Sequence, residues 1–150
     1  MRAVVIGYGN TLRSDDGIGQ RVAQRVARLS RSKEILVMVR QVLTPDLAGD
    51  IVGFDRVVFI DASASELPGS IREQWLTPPN TASSSMVHSL EPADLLGWCM
   101  KAYGNAPEAV LLTIGGYTFE IGDTLSPGIR QLMRRLVTRA LELASYSHDS

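Results

Sequence analysis

The sequence predicts an α/β three-layer sandwich, a twisted, mostly parallel five-stranded sheet between helices. Two observations carry this expectation. Short apolar runs recur along the chain, as in Ala3-Val4-Val5-Ile6, Val57-Val58-Phe59-Ile60 and residues 109–114; continuous apolarity is the mark of strands buried on both faces. Between them lie segments whose apolar residues recur at helical spacing. Strands alternating with amphipathic helices give a largely parallel sheet.

Each element follows in order. Residues 2–6 form the first strand. From Gly17 to Leu29, Ile18, Val22, Val26 and Leu29 share one helical face, and Asp15 or Asp16 stands where it can cap the N-terminus. Arg21, Arg25 and Arg28 fall off that stripe and read as a solvated face. Ile35 to Val39 is a second strand. Thr44-Pro45 pairs a capping hydroxyl with a proline at the first helical position, predicting a helix to about Val52. Val57 to Ile60 is the third strand, and Asp61 follows directly. Gly69 to Leu76 alternates like a more exposed edge strand. Residues 77–87 are a polar loop closed by His88, and Ser89 or Glu91 opens a helix through about Tyr103. Residues 109–114 are another buried strand. Ser126-Pro127 repeats the cap-then-proline signal before a last helix over about 127–144, whose arginines fall mainly off its apolar stripe. Residues 145–150 are a polar tail. With no internal repeat and no low-complexity segment, residues 1–150 read as a single domain.

Composition narrows the function classes. A chain of 150 residues with 45% hydrophobic content buries roughly two thirds of its unfolded surface. Cys99 is the only cysteine, which excludes an intramolecular disulfide and a cysteine-based zinc site. It lies in an apolar helical stretch and reads as a buried small hydrophobe. The balance of 15 basic and 16 acidic residues, net −1, argues against a nucleic-acid partner, which demands a basic footprint. No signal peptide and no membrane-spanning apolar run is evident, so the expectation is a soluble cytoplasmic protein. No heptad or dimer seam is visible, and a monomer is expected.

Chemistry should lie beyond the carboxyl ends of the strands. There the first strand runs into Gly7-Tyr8-Gly9-Asn10 and then Asp15-Asp16, the third into Asp61, and the strand at 109–114 into Gly115-Gly116. If the strands are parallel, all three loops share one edge. The GxG suggests a phosphate cradle, but Leu12 stands where the dinucleotide pattern needs its third glycine. One carboxylate suffices to cap a helix; two adjacent ones repel, and a cation or solvent relieves that cost. Asp61 after four apolar residues needs hydrogen bonds, a positive partner or a metal. Only two histidines exist, His88 and His148 in the tail. Two carboxylates and the His88 imidazole would make a triad for Zn, Ni, Fe or Mn with open positions, suited to metal-assisted hydrolysis. The plainer alternative is a capping aspartate, a turn aspartate and a solvated histidine. Spacing alone leaves both open, and HExxH is absent.

These residues resemble a known family. VVIGYGNTLRSDDGIG, VVFIDA, MVHSLEPADLL and GGYTFEIGDTLSP, in this order over nearly the whole chain, are similar to the hydrogenase maturation endopeptidases. The resemblance implies a phosphorylase/hydrolase-like sheet between helices. It implies an aspartyl-type or metal-dependent endopeptidase that removes the C-terminal extension of a nickel-iron hydrogenase large-subunit precursor after nickel insertion. It places the metal contacts on Asp16, Asp61 and His88, with nickel supplied by the substrate. Gly7, Gly9, Asn10, Asp15, Gly115 and Gly116 are then candidates for the loops that meet the incoming chain. Many members carry a proline after the Gly-Gly pair, where this chain has Tyr117-Thr118-Phe119. A non-catalytic chaperone for the same precursor is the alternative of a different class. A peptidyl-tRNA hydrolase-like reading shares the strand and GxGN, but it requires a histidine soon after that motif, and none precedes His88.

Overall fold

The computed structural model describes residues 1–79 and 90–146. Most of the predicted 77–87 loop, His88, Ser89 and His148 lie outside the described residues. Five strands, β1 (Ala3–Tyr8), β2 (Ile35–Arg40), β3 (Arg56–Ser63), β4 (Ile71–Leu76) and β5 (Glu108–Gly115), form one sheet in the order β2-β1-β3-β5-β4. All neighbours are parallel except β4, which pairs antiparallel with β5 at the edge. The three-layer expectation holds.

Strand periodicity sorts the core into two layers. Val5, Val58, Ile60, Leu112 and Ile114 face α1 (Ile18–Leu29) and the last helices, α4 (Pro127–Arg130) and α5 (Met133–Ser145). Val4, Ile6, Tyr8, Val57 and Phe59 face α2 (Leu47–Ile51) and α3 (Pro92–Tyr103). Continuous apolar strands are therefore explained: each residue meets a helix layer on one side or the other. Among the described residues, no helix is long and apolar enough to cross a membrane.

Several boundaries differ from the sequence expectation. Neither Asp15 nor Asp16 caps α1: a 3-10 turn, Ser14–Gly17, precedes it, and the N-cap position falls to Gly17 without a side-chain bond. The Thr44-Pro45 signal marks a turn, with the Leu47 N–H donating to the Thr44 carbonyl, and α2 starts later and is short. β3 continues past Asp61 to Ser63 because β5 keeps pairing with it as far as Gly115. The expected last helix is interrupted at Gln131–Leu132, where Leu132 N–H bonds the Ile129 carbonyl, three residues back. α3 opens at Glu91, whose side chain and that of Asp94 form a reciprocal capping box, and closes on left-handed Gly104.

Arg56, the first residue of β3, is a charged side chain buried in the fold. It donates to the Leu143 and Tyr146 carbonyls, pairs with Glu108 and stacks over Trp75. The end of α5 is thereby pinned to the amino edge of the sheet.

The opposite, carboxyl edge depends on a close approach of β1 and α1. A Cβ on Gly7 would overlap the Gly19 carbonyl oxygen and stand 2.7 Å from the Ala23 Cβ, and one on Gly19 would overlap the Ile60 carbonyl. Gly7→Ala is expected to lower the unfolding free energy by about 1–3 kcal/mol through overpacking, measured by urea denaturation. An unchanged midpoint would show that the layers are not in tight contact here.

Candidate functional site

The sheet order places its switch point between β1 and β3: the chain leaves β1 for β2 on one side and returns to β3 on the other. Crevices at such points are where open α/β sheets bind ligands. The residues that follow β1 and those at the end of β3 meet there.

The two adjacent aspartates have opposite environments. Asp15 is fully buried. Its Oδ1 accepts the Ser126 N–H at 2.7 Å; its Oδ2 accepts the Ser126 Oγ–H at 2.8 Å and the Tyr117 and Thr118 N–H groups at 2.8 and 3.2 Å. Burial pushes its carboxyl up, but the Ser126, Tyr117 and Thr118 bonds outweigh that and hold it below the ordinary range. Its partners thus lie in the connection that follows β5. Ser14 reinforces the junction: it takes a left-handed φ of 54°, donating its N–H to the Gly122 carbonyl and its hydroxyl to that of Glu120, each at 2.8 Å.

Asp16 faces the other way. Its Oδ2 accepts the Asn10 N–H at 2.8 Å, while the Asn10 side-chain oxygen accepts the Leu12 N–H at 2.9 Å. This local turn leaves the rest of the Asp16 carboxylate facing a cavity of about 220 Å³. Gly9 has a φ of 134°, and a Cβ there would overlap the Asp16 carbonyl oxygen, so only glycine lets β1 turn into this loop. Gln20 fixes the turn by donating to the Gly9 and Arg40 carbonyls.

Asp61 lines the same cavity from within β3. Its neighbours at two-residue spacing, Val57 and Phe59, face α2 and α3, and that face also carries Tyr8. Burial pushes the Asp61 carboxyl up to about 7, opposed by hydrogen bonds from the Tyr8 hydroxyl and the Ala62 N–H and augmented by the charges of Asp16 and Glu91. Burial and those same carboxylates push the Tyr8 phenol far up, so it remains a proton donor. Since the folded state retains a proton on Asp61 that the unfolded chain releases, this group lowers stability as pH rises from about 4 to about 7.

Asp16 and Asp61 are thus brought to one cavity. Tyr8 and Glu91 are functional candidates that sequence reasoning missed. The signal for Tyr8 was its even spacing from Val4 and Ile6; for Glu91 it was its position three residues after His88. Among the described residues lining the cavity (Tyr8, Gly9, Asp16, Gln41, Asp61 and Glu91 with three apolar side chains) none is cationic. Among the described residues, no group of three His, Cys, Asp or Glu side chains is placed to hold a metal ion, and His88 lies outside them. Of the loop glycines, Gly7 serves helix packing, and Gly115 ends β5 where a Cβ would overlap the Leu67 carbonyl oxygen. Gly116 donates its N–H to the Ser63 carbonyl at 3.1 Å and abuts Phe119 and Asp15. The close approaches at these three positions are to the protein's own elements.

No protein-family profile matches the sequence, and no curated protein matches it. Solved structures share its fold over nearly the whole chain. The hydrogenase maturating endopeptidase HybD from E. coli aligns with a TM-score of 0.77 at 20% identity, covering 95% of this chain and 91% of its own. The NiFe hydrogenase maturation protease HybD from Thermococcus kodakarensis aligns at 0.73 and 24% identity, covering 97% and 100%. A solution structure of an endopeptidase from Escherichia coli aligns at 0.76 and 21%, covering 98% and 96%. At these identities the likeness establishes a common fold: this chain has the architecture of the hydrogenase maturation proteases.

Asp15→Asn is expected to destabilise the protein by about 2–4 kcal/mol, because an amide cannot accept all four bonds and turns a donor on buried donors. Asp16→Asn should cost under about 1 kcal/mol. Chemical denaturation of both variants checks the asymmetry, and equal losses would contradict it. A carbon-detected NMR titration should find the Asp61 carboxyl midpoint near 7, and higher still in Tyr8→Phe, which removes a bond to the charged form. A midpoint at an ordinary carboxylate value would contradict the buried, acid-flanked environment.

Proposed function

We propose that this chain is an endopeptidase that removes the C-terminal extension of a nickel-iron hydrogenase large-subunit precursor after nickel insertion. The observation that carries the reading is the crevice at the switch point, where Asp16 and Asp61 converge with Glu91 nearby and no cation lines the wall among the described residues. Such a site suits a positively charged ligand. The fold shared with hydrogenase maturation proteases supports the same reading.

In this proposal nickel arrives as part of the substrate. Asp16 and Asp61 offer oxygen ligands and His88 a nitrogen ligand, a donor set suited to a borderline divalent ion with positions left for the precursor's own groups. A metal held jointly by both partners makes recognition conditional on loading. Polarisation of the scissile carbonyl is the chemistry such an ion supplies. Asp61, partly protonated near neutral pH, would give up that proton on meeting the metal, so docking would be accompanied by proton release. Tyr8 holds the Asp61 carboxylate in place, while the Asn10 N–H does so for Asp16.

The test is a cleavage assay on nickel-loaded and nickel-free precursor, read by mass spectrometry of the C-terminus. A short peptide should leave only the loaded form. Asp16→Ala, Asp61→Ala and His88→Ala should each reduce processing by at least about a hundredfold, the scale at which metal ligation and positioning act, with native circular dichroism. Cleavage persisting in all three folded variants would remove the triad, and binding of the loaded precursor without any cleavage would make the protein a chaperone.

A further inference from the structure

The arginines of α1 lie on a solvated face as expected, Arg25 and Arg28 exposed and Arg21 half-buried, and that face borders a groove. Arg21, Arg25 and Arg28 project from α1 towards Arg130 at the end of α4, lining a cavity of about 390 Å³. Arg25 also lines an adjoining cavity of about 280 Å³, opposite Arg134 and Val137 of α5. The two cavities adjoin at Arg25 along the α1–α5 junction. Leu125 and Met133 lie in the first, and Leu29, Val137 and Leu141 in the second.

The charge distribution in this groove is one-sided. α1 contains no acidic residue, and in α4 and α5 only Glu142 is acidic; it lies with Arg139 and Glu73 at a separate cavity. Asp123 is the single acid on the groove, and its backbone carbonyl, at 2.6 Å, receives an Arg21 N–H. Three arginines elsewhere are ion-paired, Arg56 with Glu108, Arg72 with Glu66 and Arg139 with Glu73, while Arg13 and Arg40 donate to backbone carbonyls. None of the five groove arginines has an ion-pair partner among the described residues. Arg21 Nε is buried with no hydrogen-bond partner, a cost that a native fold seldom leaves unmet. Two rows of like charge face each other across a channel in a protein whose net charge is −1.

We propose that this groove binds a carboxylate-rich, amphipathic polypeptide segment of a partner protein. Guanidinium groups take carboxylates in bidentate geometry, which would relieve the repulsion between the rows. The apolar floor distinguishes the occupant from a free phosphate, which has no use for leucine and valine. It also distinguishes it from a single-stranded nucleic acid, since no aromatic side chain lines the channel to stack a base. The groove is separate from the Asp16–Asp61 crevice, and this inference stands whether or not the protein is a protease.

The experiment is fluorescence anisotropy on the full chain with a fluorescein-labelled amphipathic peptide of glutamate and leucine, and a lysine–leucine peptide as control. Saturable binding of the acidic peptide alone, weakening as salt rises, is expected. Arg25→Glu/Arg134→Glu should weaken it roughly tenfold or more, with cooperative thermal unfolding of the chain retained. Arg25→Gln/Arg134→Gln, which cannot add repulsion to the fold, should give a smaller loss in the same direction. Absence of saturable binding, or equal affinity in the neutral variant, overturns the proposal. So does displacement of the peptide by equimolar inorganic phosphate or a DNA duplex. Sedimentation revealing a dimer that charge reversal dissociates would assign the groove to a second copy instead.

Discussion

A buried carboxylate, Asp15, is the constraint on which the carboxyl edge of this molecule depends. Its four hydrogen bonds join the turn after β1 to residues more than a hundred positions away. A charge-assisted bond contributes about 1.5–3 kcal/mol, and a bare buried carboxylate costs several, so the side chain is tolerable only because the whole connection after β5 closes on it. With that connection closed, the 3-10 turn is fixed in direction and Asp16 can only face the crevice. The oddity of two adjacent acids is thereby resolved: one carboxylate is satisfied within the protein and orients the other.

The molecule separates its charges in a way its net charge conceals. Asp16, Asp61 and Glu91 act on one another at the switch point, and burial keeps Asp61 partly protonated near neutrality. Five arginines border the α1–α5 channel without carboxylate partners among the described residues. Each surface is costly in isolation, and both are built on α1 or its approach: Asp16 precedes the helix, and Arg21 lies about one turn into it. A rigid α1, packed on β1 through Gly7 and Gly19, is therefore a common support for two surfaces of opposite sign.

Much of the architecture was legible because strands buried on both faces leave uninterrupted apolar runs and α1 carries a clean stripe. Asp61 was legible as an ionisable residue where the run of β3 should end. What escaped had distant causes. Asp15 and Asp16 look like helix caps in local sequence, and only the approach of Ser126, Tyr117 and Thr118 redirects the first of them. β3 overruns Asp61 because β5 extends alongside it. Tyr8 reads as one more member of a glycine turn until β3 lies beside β1, and Glu91 reads as a cap, which it also is. The arginines of α1 are solvated as their polar stripe implies; what escaped is the opposing row on α4 and α5, about a hundred residues later in sequence.

The closure of the 117–126 connection rests largely on main-chain donors: the N–H groups of residues 117, 118 and 126. A peptide N–H is the same whatever side chain it carries. Ile121 projects outward, 93% exposed, and contributes little to the clamp itself, whereas the Tyr117 ring lies against Gly69 and Gly128. The connection can thus change its chemical face across evolution while its path stays anchored, much as an interchangeable tip fits a fixed socket. Divergence in what the edge recognises can accumulate there without renegotiating the fold.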